Sequence, residues 1–198
     1  MLGYSAAAVS CVQLVPQVVR TVRTRVTAGV SPLMWSLLGA QSGAWIVFGA
    51  SRRLWPSALV NVVLAGCVAM MLATMRRLRT PGLGLAVAVM AALMAVEAVL
   101  IGTGAMPVLG SLAGLIAALV FYPQVLVALR ATDLSGLSRP SWLFAVVTSV
   151  QWAAYGVATG TPVVWVSAAH NLILASVVLA RLYVFAPRTA ALDPVAAA

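Results

Sequence analysis

The sequence predicts an all-α membrane protein with seven transmembrane helices, and three observations lead to that prediction. Of the 198 residues, 63% are hydrophobic and only 8% are charged, whereas a soluble domain carries about 25% charged residues. The charges lie in short clusters, and the uncharged segments between them each hold one or two spans of roughly 20 residues. Glycine and proline clusters divide the two longest segments, as is typical where helices end and begin.

The spans follow from this spacing in chain order. We predict helices over residues 3–20, 31–50, 55–75, 83–101, 107–129, 140–156 and 162–183. The breaks at 102–107 and 156–162 separate the fourth span from the fifth and the sixth from the seventh. We expect residues 187–198 to form a short C-terminal tail. Because no basic segment precedes the first span, we expect no cleaved signal peptide.

The arginines predict the orientation. All twelve basic residues are arginine, and the formal net charge is +9. Only Arg52 and Arg53 would lie on one side of a seven-span protein. The other ten would lie on the opposite side: Arg20, Arg23, Arg25, Arg76, Arg77, Arg79, Arg130, Arg139, Arg181 and Arg188. The positive-inside rule therefore predicts a multi-pass plasma-membrane protein with its N-terminus outside and its C-terminus in the cytoplasm. The charge is an orientation signal, so we expect no nucleic-acid partner.

Few residues offer other chemistry. Cys11 and Cys67 lie within predicted spans, where we expect small buried hydrophobic side chains and no disulfide. The sequence contains no Cys/His cluster typical of a metal site, and no nucleophile paired with a base. We therefore expect no metal, no cofactor and no enzymatic activity.

The sequence contains an internal repeat. Pro16-Gln17 recurs as Pro123-Gln124, an offset of 107 residues. The same offset relates Arg23 to Arg130, Gly29 to Gly136, Ser31 to Ser138, Trp35 to Trp142, Trp45 to Trp152 and Gly49 to Gly156. After the second span the offset is 110, and it relates Trp55 to Trp165 and Asn61 to Asn171. All six tryptophans fall into matched pairs, which is not a chance pattern.

The repeat predicts the domain organisation. Residues 1–79 form a first three-helix repeat and residues 105–186 a second, with residues 80–104 as a linker helix and 187–198 as the tail. Three is an odd number of spans, so the linker helix gives the second repeat the same direction as the first. We therefore expect two parallel three-helix bundles joined by one helix (3+1+3).

These motifs resemble the PQ-loop superfamily, and within it the SWEET and SemiSWEET sugar facilitators. Each half carries the same ordered series, which in the first half is Pro16-Gln17, Gly29-Val30-Ser31, Trp45 through Gly49, and Asn61. The resemblance covers nearly the whole chain and implies a bacterial seven-helix member, as if a single-repeat SemiSWEET had been duplicated and fused. It also implies a parallel-repeat transporter, for which the substrate site lies at the repeat interface near the midplane.

The prolines predict local weakness in two helices. Pro16 and Pro123 lack an N–H and free the carbonyls of Val12 and Leu119, so each loosens its helix. The residues alone allow either a hinge or a static kink, and the resemblance implies a hinge that gates the cytoplasmic side. Gln17 and Gln124 could satisfy the freed carbonyls or contact neighbouring helices.

Two asparagines lie alone in apolar helices. Asn61 and Asn171 each carry an amide that must face protein or water. They either hold helices together or offer donors and acceptors to a polyhydroxylated ligand. Trp45 and Asn61 both lie about 8–9 Å below the outer helix ends at 1.5 Å per residue, and Trp152 and Asn171 give a similar layer in the second half. The resemblance implies that the asparagine pair and the tryptophan pair line the sugar pocket.

The remaining aromatic and titratable residues have weaker assignments. We expect Trp35, Trp142, Trp55 and Trp165, near helix ends, to form an aromatic belt at the membrane interface. Phe48 and Tyr155 lie one turn after the paired tryptophans and are candidates for the outer gate. Glu97 and His170 are candidates for a proton site. For Glu97 we favour a neutral structural role, and we expect His170 to face a neighbouring helix.

The sequence therefore predicts a facilitator (uniporter) that moves small sugars by alternating access. Its partners would be the sugar and the lipid bilayer. The sequence does not decide whether the chain forms a homo-oligomer. One alternative is a cystinosin-like, proton-coupled exporter of amino acids or another small metabolite, which needs a titratable group in the pathway. A second is a receptor of the KDEL-receptor type, which needs buried charges that this chain scarcely has.

Overall fold

The computed structural model describes residues 1–184, and within them every regular element is a helix. The eight helical segments are α1 (Leu2–Thr24), α2 (Pro32–Ser51), α3 (Trp55–Arg77), α4 (Leu83–Gly102), α5 (Met106–Leu119), α6 (Tyr122–Arg130), α7 (Arg139–Ala158) and α8 (Pro162–Val184). The all-α prediction is confirmed. The tail predicted over 187–198, including Arg188, lies outside the described residues.

The predicted bounds agree with the structure except within the fifth span. One span covers residues 106–130, as predicted, but its helix is interrupted at Val120 and Phe121, which separate α5 from α6 although their backbone dihedrals stay helical. Pro123 is the second residue of the next segment, α6. It has no N–H and cannot donate the backbone hydrogen bond that a continuous helix needs. The corresponding Pro16 lies inside an unbroken α1. The two prolines therefore have different effects on their helices.

Six segments within residues 1–184 are long and apolar enough to cross a membrane, when α5 and α6 are taken as one segment of 25 residues. α7 has 20 residues but fails on hydropathy. It carries Ser141, Thr148, Ser149 and Gln151 on a helix that lines an internal cavity. Polar side chains on a span are tolerated where the span faces protein or a water-filled space.

The helices pack in corresponding ways in the two halves. α3 contacts both α1 and α2, and α8 contacts α5, α6 and α7. Contacts between the halves are made by α1 with α7 and by α2 with α5 and α6. α4 contacts mainly α2 and leaves most of its surface exposed. A cavity can therefore form between the halves, away from α4.

Two loops meet at one face of the molecule, which we call the clamp face. They are the α1–α2 loop (residues 25–31) and the α6–α7 loop (131–138). The side chain of Ser31 caps α2 by accepting a hydrogen bond from the N–H of Met34 at 3.2 Å. A large hydrophobic core cluster lies towards this face, and a smaller one around Trp45, Phe48 and Leu109 lies towards the other.

Glycines permit the closest helix contacts, and Gly114 gives a test of this packing. A Cβ on Gly114 in α5 would overlap the side chain of Val163 on α8. Gly114→Ala should therefore destabilise the fold by about 1–3 kcal/mol through overpacking. We expect a lower midpoint of thermal unfolding in detergent.

The matched control is Gly66→Ala in α3. A Cβ there would meet no atom within 4 Å, and alanine is the better helix former. An unfolding midpoint at or above that of the wild type is expected for this control. Equal losses in the two variants would contradict the proposed contact between α5 and α8.

Candidate functional site

The candidate site is a cavity of about 150 Å³ between the two halves. Every helix except α4 contributes to its lining. Its wall is mainly apolar and aromatic, with a few amide and hydroxyl side chains. This is the composition of a site for a small ligand that is held by a few placed hydrogen bonds.

The four residues expected to form one layer all line this cavity. They are Trp45 on α2, Asn61 on α3, Trp152 on α7 and Asn171 on α8. Asn61 and Trp45 are each 5% exposed, and Asn171 and Trp152 are half-buried. The structure thus brings together two amides and two indoles that are far apart in the chain.

Each asparagine uses its amide nitrogen but not its oxygen. Asn61 Nδ2 donates to the carbonyl of Ser57 at 2.8 Å, and Asn171 Nδ2 donates to the carbonyl of Ala117 at 2.7 Å. Both Oδ1 atoms are buried and have no hydrogen-bond partner. An unpaired buried acceptor costs about 1–3 kcal/mol. Two such acceptors at one cavity favour a ligand or water that donates to them.

The tryptophans are held by aromatic neighbours one turn further along their helices. Trp45 contacts Phe48 edge to face, with ring centroids 5.7 Å apart, and Trp152 contacts Tyr155 in the same way at 5.5 Å. Trp152 Nε1 also donates to Ser10 Oγ at 2.9 Å. Phe48 and Tyr155 do not line the cavity themselves and pack behind the two tryptophans that do.

Phe48 and Tyr155 pack against glycines at equivalent positions. A Cβ on Gly110 would overlap the Phe48 ring, and a Cβ on Gly3 would lie 2.6 Å from the Tyr155 ring. These two glycines are 107 residues apart, the offset of the internal repeat. The duplication therefore includes this aromatic–glycine contact.

At the clamp face, each glutamine of a Pro-Gln pair binds the loop of the opposite half. Gln17 Nε2 donates to the carbonyl of Gly136, and its Oε1 accepts from the N–H of Ser138, both at 2.8 Å. Gln124 Nε2 donates to the carbonyl of Gly29 at 2.6 Å, and its Oε1 accepts from the N–H of Ser31 at 2.9 Å. We call these the first and second glutamine clamps.

The two loops also touch each other. The N–H of Gly136 donates to the carbonyl of Ala28 at 3.0 Å, and a Cβ on Gly136 would lie 2.5 Å from that oxygen. Gly29 has a φ of +76°, and a Cβ there would lie 2.9 Å from the carbonyl oxygen of Asp133. Glycine is therefore required at both positions by close backbone approach. Both clamp glutamines line the cavity, so the clamps lie at its end towards this face.

The first clamp has support that the second lacks. The Arg20 guanidinium donates to the carbonyl of Ser135 through Nε at 2.9 Å and through a second nitrogen. The N–H of Ser135 in turn donates to the Asp133 carboxylate at 2.8 Å, and the hydrogen bonds from Ser135 lower the pKa of Asp133. The residue that corresponds to Arg20 in the second half is Val127. The two clamps are thus unequal.

Two tryptophans occupy a different place from the one predicted. The interfacial belt is wrong for Trp35 and Trp142, which are 0% and 5% exposed and line the cavity. The loops of the clamp face cover these helix starts, and Phe121 from the helix break packs edge-on against Trp142 at 5.2 Å. Trp55 and Trp165 are exposed on the outer surface, as a belt requires.

Sequence reasoning also missed smaller polar residues of the lining, among them Ser10, Gln13, Ser141 and Thr148. Thr148 Oγ1 donates to Gln13 Oε1 at 2.7 Å and so joins α7 to α1. The helical spacing of Ser141, Thr148 and Trp152 along one side of α7 was a signal that could have indicated this face.

Neither candidate proton site lines the cavity. Glu97 is buried on α4, where its Oε2 approaches Gly43 of α2 and its Oε1 has no hydrogen-bond partner. His170 stacks on Tyr122 of α6 with ring centroids 5.5 Å apart. Both lie outside the set of lining residues.

The clamps give a stability prediction. Gln124→Leu removes the partners of two backbone groups, and each buried group left unpaired costs about 1–3 kcal/mol. We expect a lower thermal unfolding midpoint in detergent. Gln41→Leu is the matched control, because Gln41 lines the same cavity and its Oε1 has no partner. If both variants unfold at the same temperature, the second clamp does not stabilise the folded structure.

Comparison with known proteins places the chain in a family. The family model of the PQ loop repeat matches residues 1–47. The "Sugar transporter SemiSWEET" of Leptospira biflexa serovar Patoc is 36% identical over 63 residues, which are 32% of this chain and 74% of that relative. The motif, its duplication and this relative agree with one another, and the chain belongs to the SWEET and SemiSWEET family of PQ-loop membrane proteins.

Proposed function

We propose that this protein moves small sugars down their concentration gradient by alternating access, with the cavity between the halves as the sugar site. The observation that carries the proposal is the asparagine pair, whose two unpartnered Oδ1 atoms lie at a cavity walled by tryptophans. The relative from Leptospira biflexa, which is named as a sugar transporter, supports the same substrate class.

The chemistry of the lining suits a sugar. Asparagine oxygens accept hydrogen bonds from hydroxyl groups, and the indoles of Trp45 and Trp152 offer apolar surfaces to the C–H faces of a sugar ring. No charged side chain lines the cavity within the described residues. A carboxylate or an ammonium group would therefore enter without a counter-charge, which is costly in a buried site.

The clamp face provides the inner gate in this mechanism. Most arginines follow the helices that end there, so the positive-inside rule makes it the cytoplasmic face and puts the N-terminus outside. Opening to the cytoplasm requires both glutamine clamps to break. Pro16 and Pro123, directly before the two glutamines, are the hinges that let the inner parts of α1 and α6 move. Phe48 and Tyr155 form the outer gate.

The domain organisation of the proposal is two repeats with α4 as the linker. The corresponding contacts of α3 and α8, each with the other helices of its half, support this division. The position of the cavity between α1 and α7 and between α2 and α5 supports a substrate site at the repeat interface. Relative movement of the two halves would then open one end while the other is closed.

Transport is proposed to be independent of protons and to involve no chemical conversion of the sugar. Glu97 and His170 do not line the cavity, whereas a proton-coupled exporter needs a titratable group in the pathway. If the alternative of proton-coupled export is correct, Glu97→Gln or His170→Gln should abolish transport.

Uptake into proteoliposomes tests the function. Labelled mono- and disaccharides and amino acids would be supplied with and without a pH gradient. We expect sugar flux that does not depend on the gradient. At sugar concentrations below KM, Asn61→Ala and Asn171→Ala should each reduce it at least about tenfold, since a lost hydrogen bond to the ligand costs roughly 1.4 kcal/mol.

Glu97→Gln and His170→Gln serve as the matched controls and should retain the wild-type flux. Flux that appears only with an imposed proton gradient and that survives both asparagine substitutions would reject the facilitator.

The inner gate gives a separate prediction. Gly136→Ala should hold the two loops apart, because its Cβ meets the carbonyl of Ala28. We expect transport to fall more than tenfold. In a background without Cys11 and Cys67, a cysteine introduced by Ser141→Cys should react faster with an impermeant thiol reagent added from the clamp face.

Gly102→Ala, where a Cβ meets nothing within 4 Å, is the control and should behave as wild type. Unchanged transport and labelling in Gly136→Ala would show that this loop contact does not form the gate.

A further inference from the structure

The two asparagines of the cavity occupy equivalent positions but do different work. Asn61 Nδ2 donates to the carbonyl of Ser57, one turn earlier in its own helix, α3. Asn171 Nδ2 donates instead to the carbonyl of Ala117, which belongs to a different helix, α5. Of the two asparagines, only Asn171 therefore joins its own helix to another one through its amide nitrogen.

Ala117 lies at the point where the fifth span breaks. α5 ends at Leu119, and the last four carbonyls of a helix lack partners within the helix. Ala117 is one of these four, so the amide of Asn171 satisfies a carbonyl at the broken end. α6 starts at Tyr122 and carries Pro123 and Gln124, the residue of the second clamp. Asn171 thus binds α5 on the cavity side of the break. On the other side of the break, α6 carries the glutamine of the second clamp.

The first half has no such connection. Ser10 occupies the position equivalent to Ala117, and α1 continues unbroken from there through Pro16. The hydroxyl of Ser10 accepts from Trp152 Nε1 of the opposite half. Ala117, which stands at the position of Ser10 in the second half, has no hydroxyl that could accept from Trp45, the counterpart of Trp152. The two halves therefore differ at three pairs of equivalent positions, namely Asn61 and Asn171, Ser10 and Ala117, and Trp45 and Trp152.

We propose, on the basis of the proposed function, that Asn171 is a positioning residue that transmits sugar binding to the helix break of the second half, whereas Asn61 only binds the sugar. A sugar hydroxyl that donates to Asn171 Oδ1 polarises the amide and strengthens its donation to Ala117, since hydrogen bonds in a chain reinforce one another. The break between α5 and α6 then responds to occupancy, and α1 does not.

The kinetics of the two asparagine variants test the inference. In counterflow measurements, Asn61→Ala should raise KM about tenfold and keep the maximal rate within twofold of wild type. Asn171→Ala should lower the maximal rate about tenfold even at saturating sugar. If the asparagines merely held helices together, one variant would not change mainly KM while the other changed mainly the maximal rate.

A measurement on the wild type covers the case in which a variant does not fold. Hydrogen–deuterium exchange in nanodiscs should show sugar-dependent protection of residues 117–123, at least threefold greater than in the equivalent segment 10–16. Equal protection of both segments, or the same KM and rate pattern in both alanine variants, would overturn the inference and leave the proposed function intact. Absence of any sugar effect on exchange or on transport would reject the proposed function itself.

Discussion

The pairing of two loop backbones by two glutamine side chains is the interaction on which the clamp face of this molecule depends. The Gly-X-Ser segments before α2 and α7 are buried and belong to no helix, so their N–H and C=O groups need partners from elsewhere. Gln17 and Gln124 supply them, and each does so across the interface between the halves. The middle residue of each segment bonds within its own loop, whereas the glycine carbonyl and the serine N–H are satisfied from the opposite half.

The Pro-Gln pair combines two opposite requirements at one place. The proline removes a backbone hydrogen bond and weakens its helix, whereas the following glutamine binds the opposite loop and holds the helix in position. In the first half α1 stays continuous and Arg20 reinforces the clamp. In the second half the helix breaks, and Asn171 satisfies a carbonyl at the break. The two halves therefore share the arrangement of the clamps but differ in the hydrogen bonds that surround them.

Much of the site could be predicted because the internal repeat singles out the residues that recur in both halves. Asn61 with Asn171 and Trp45 with Trp152 were found as matched pairs, and all four line one cavity. The assignment of Trp35 and Trp142 to the membrane interface was wrong, because position along a helix gives depth and not the direction in which a side chain points. The break at Val120 was missed for a related reason, since Pro16 carries the same local signal without breaking its helix.

The sequence by itself determined the approximate bounds of the helices and the internal repeat, because each follows from local composition and from comparison of the chain with itself. Only the tertiary structure decided which polar atoms are satisfied. The reciprocity of the clamps, the free Oδ1 atoms of the asparagines and the bond from Asn171 to Ala117 depend on which helices meet. Hydrogen bonds act over about 3 Å, so composition and spacing cannot specify them until the chain is packed.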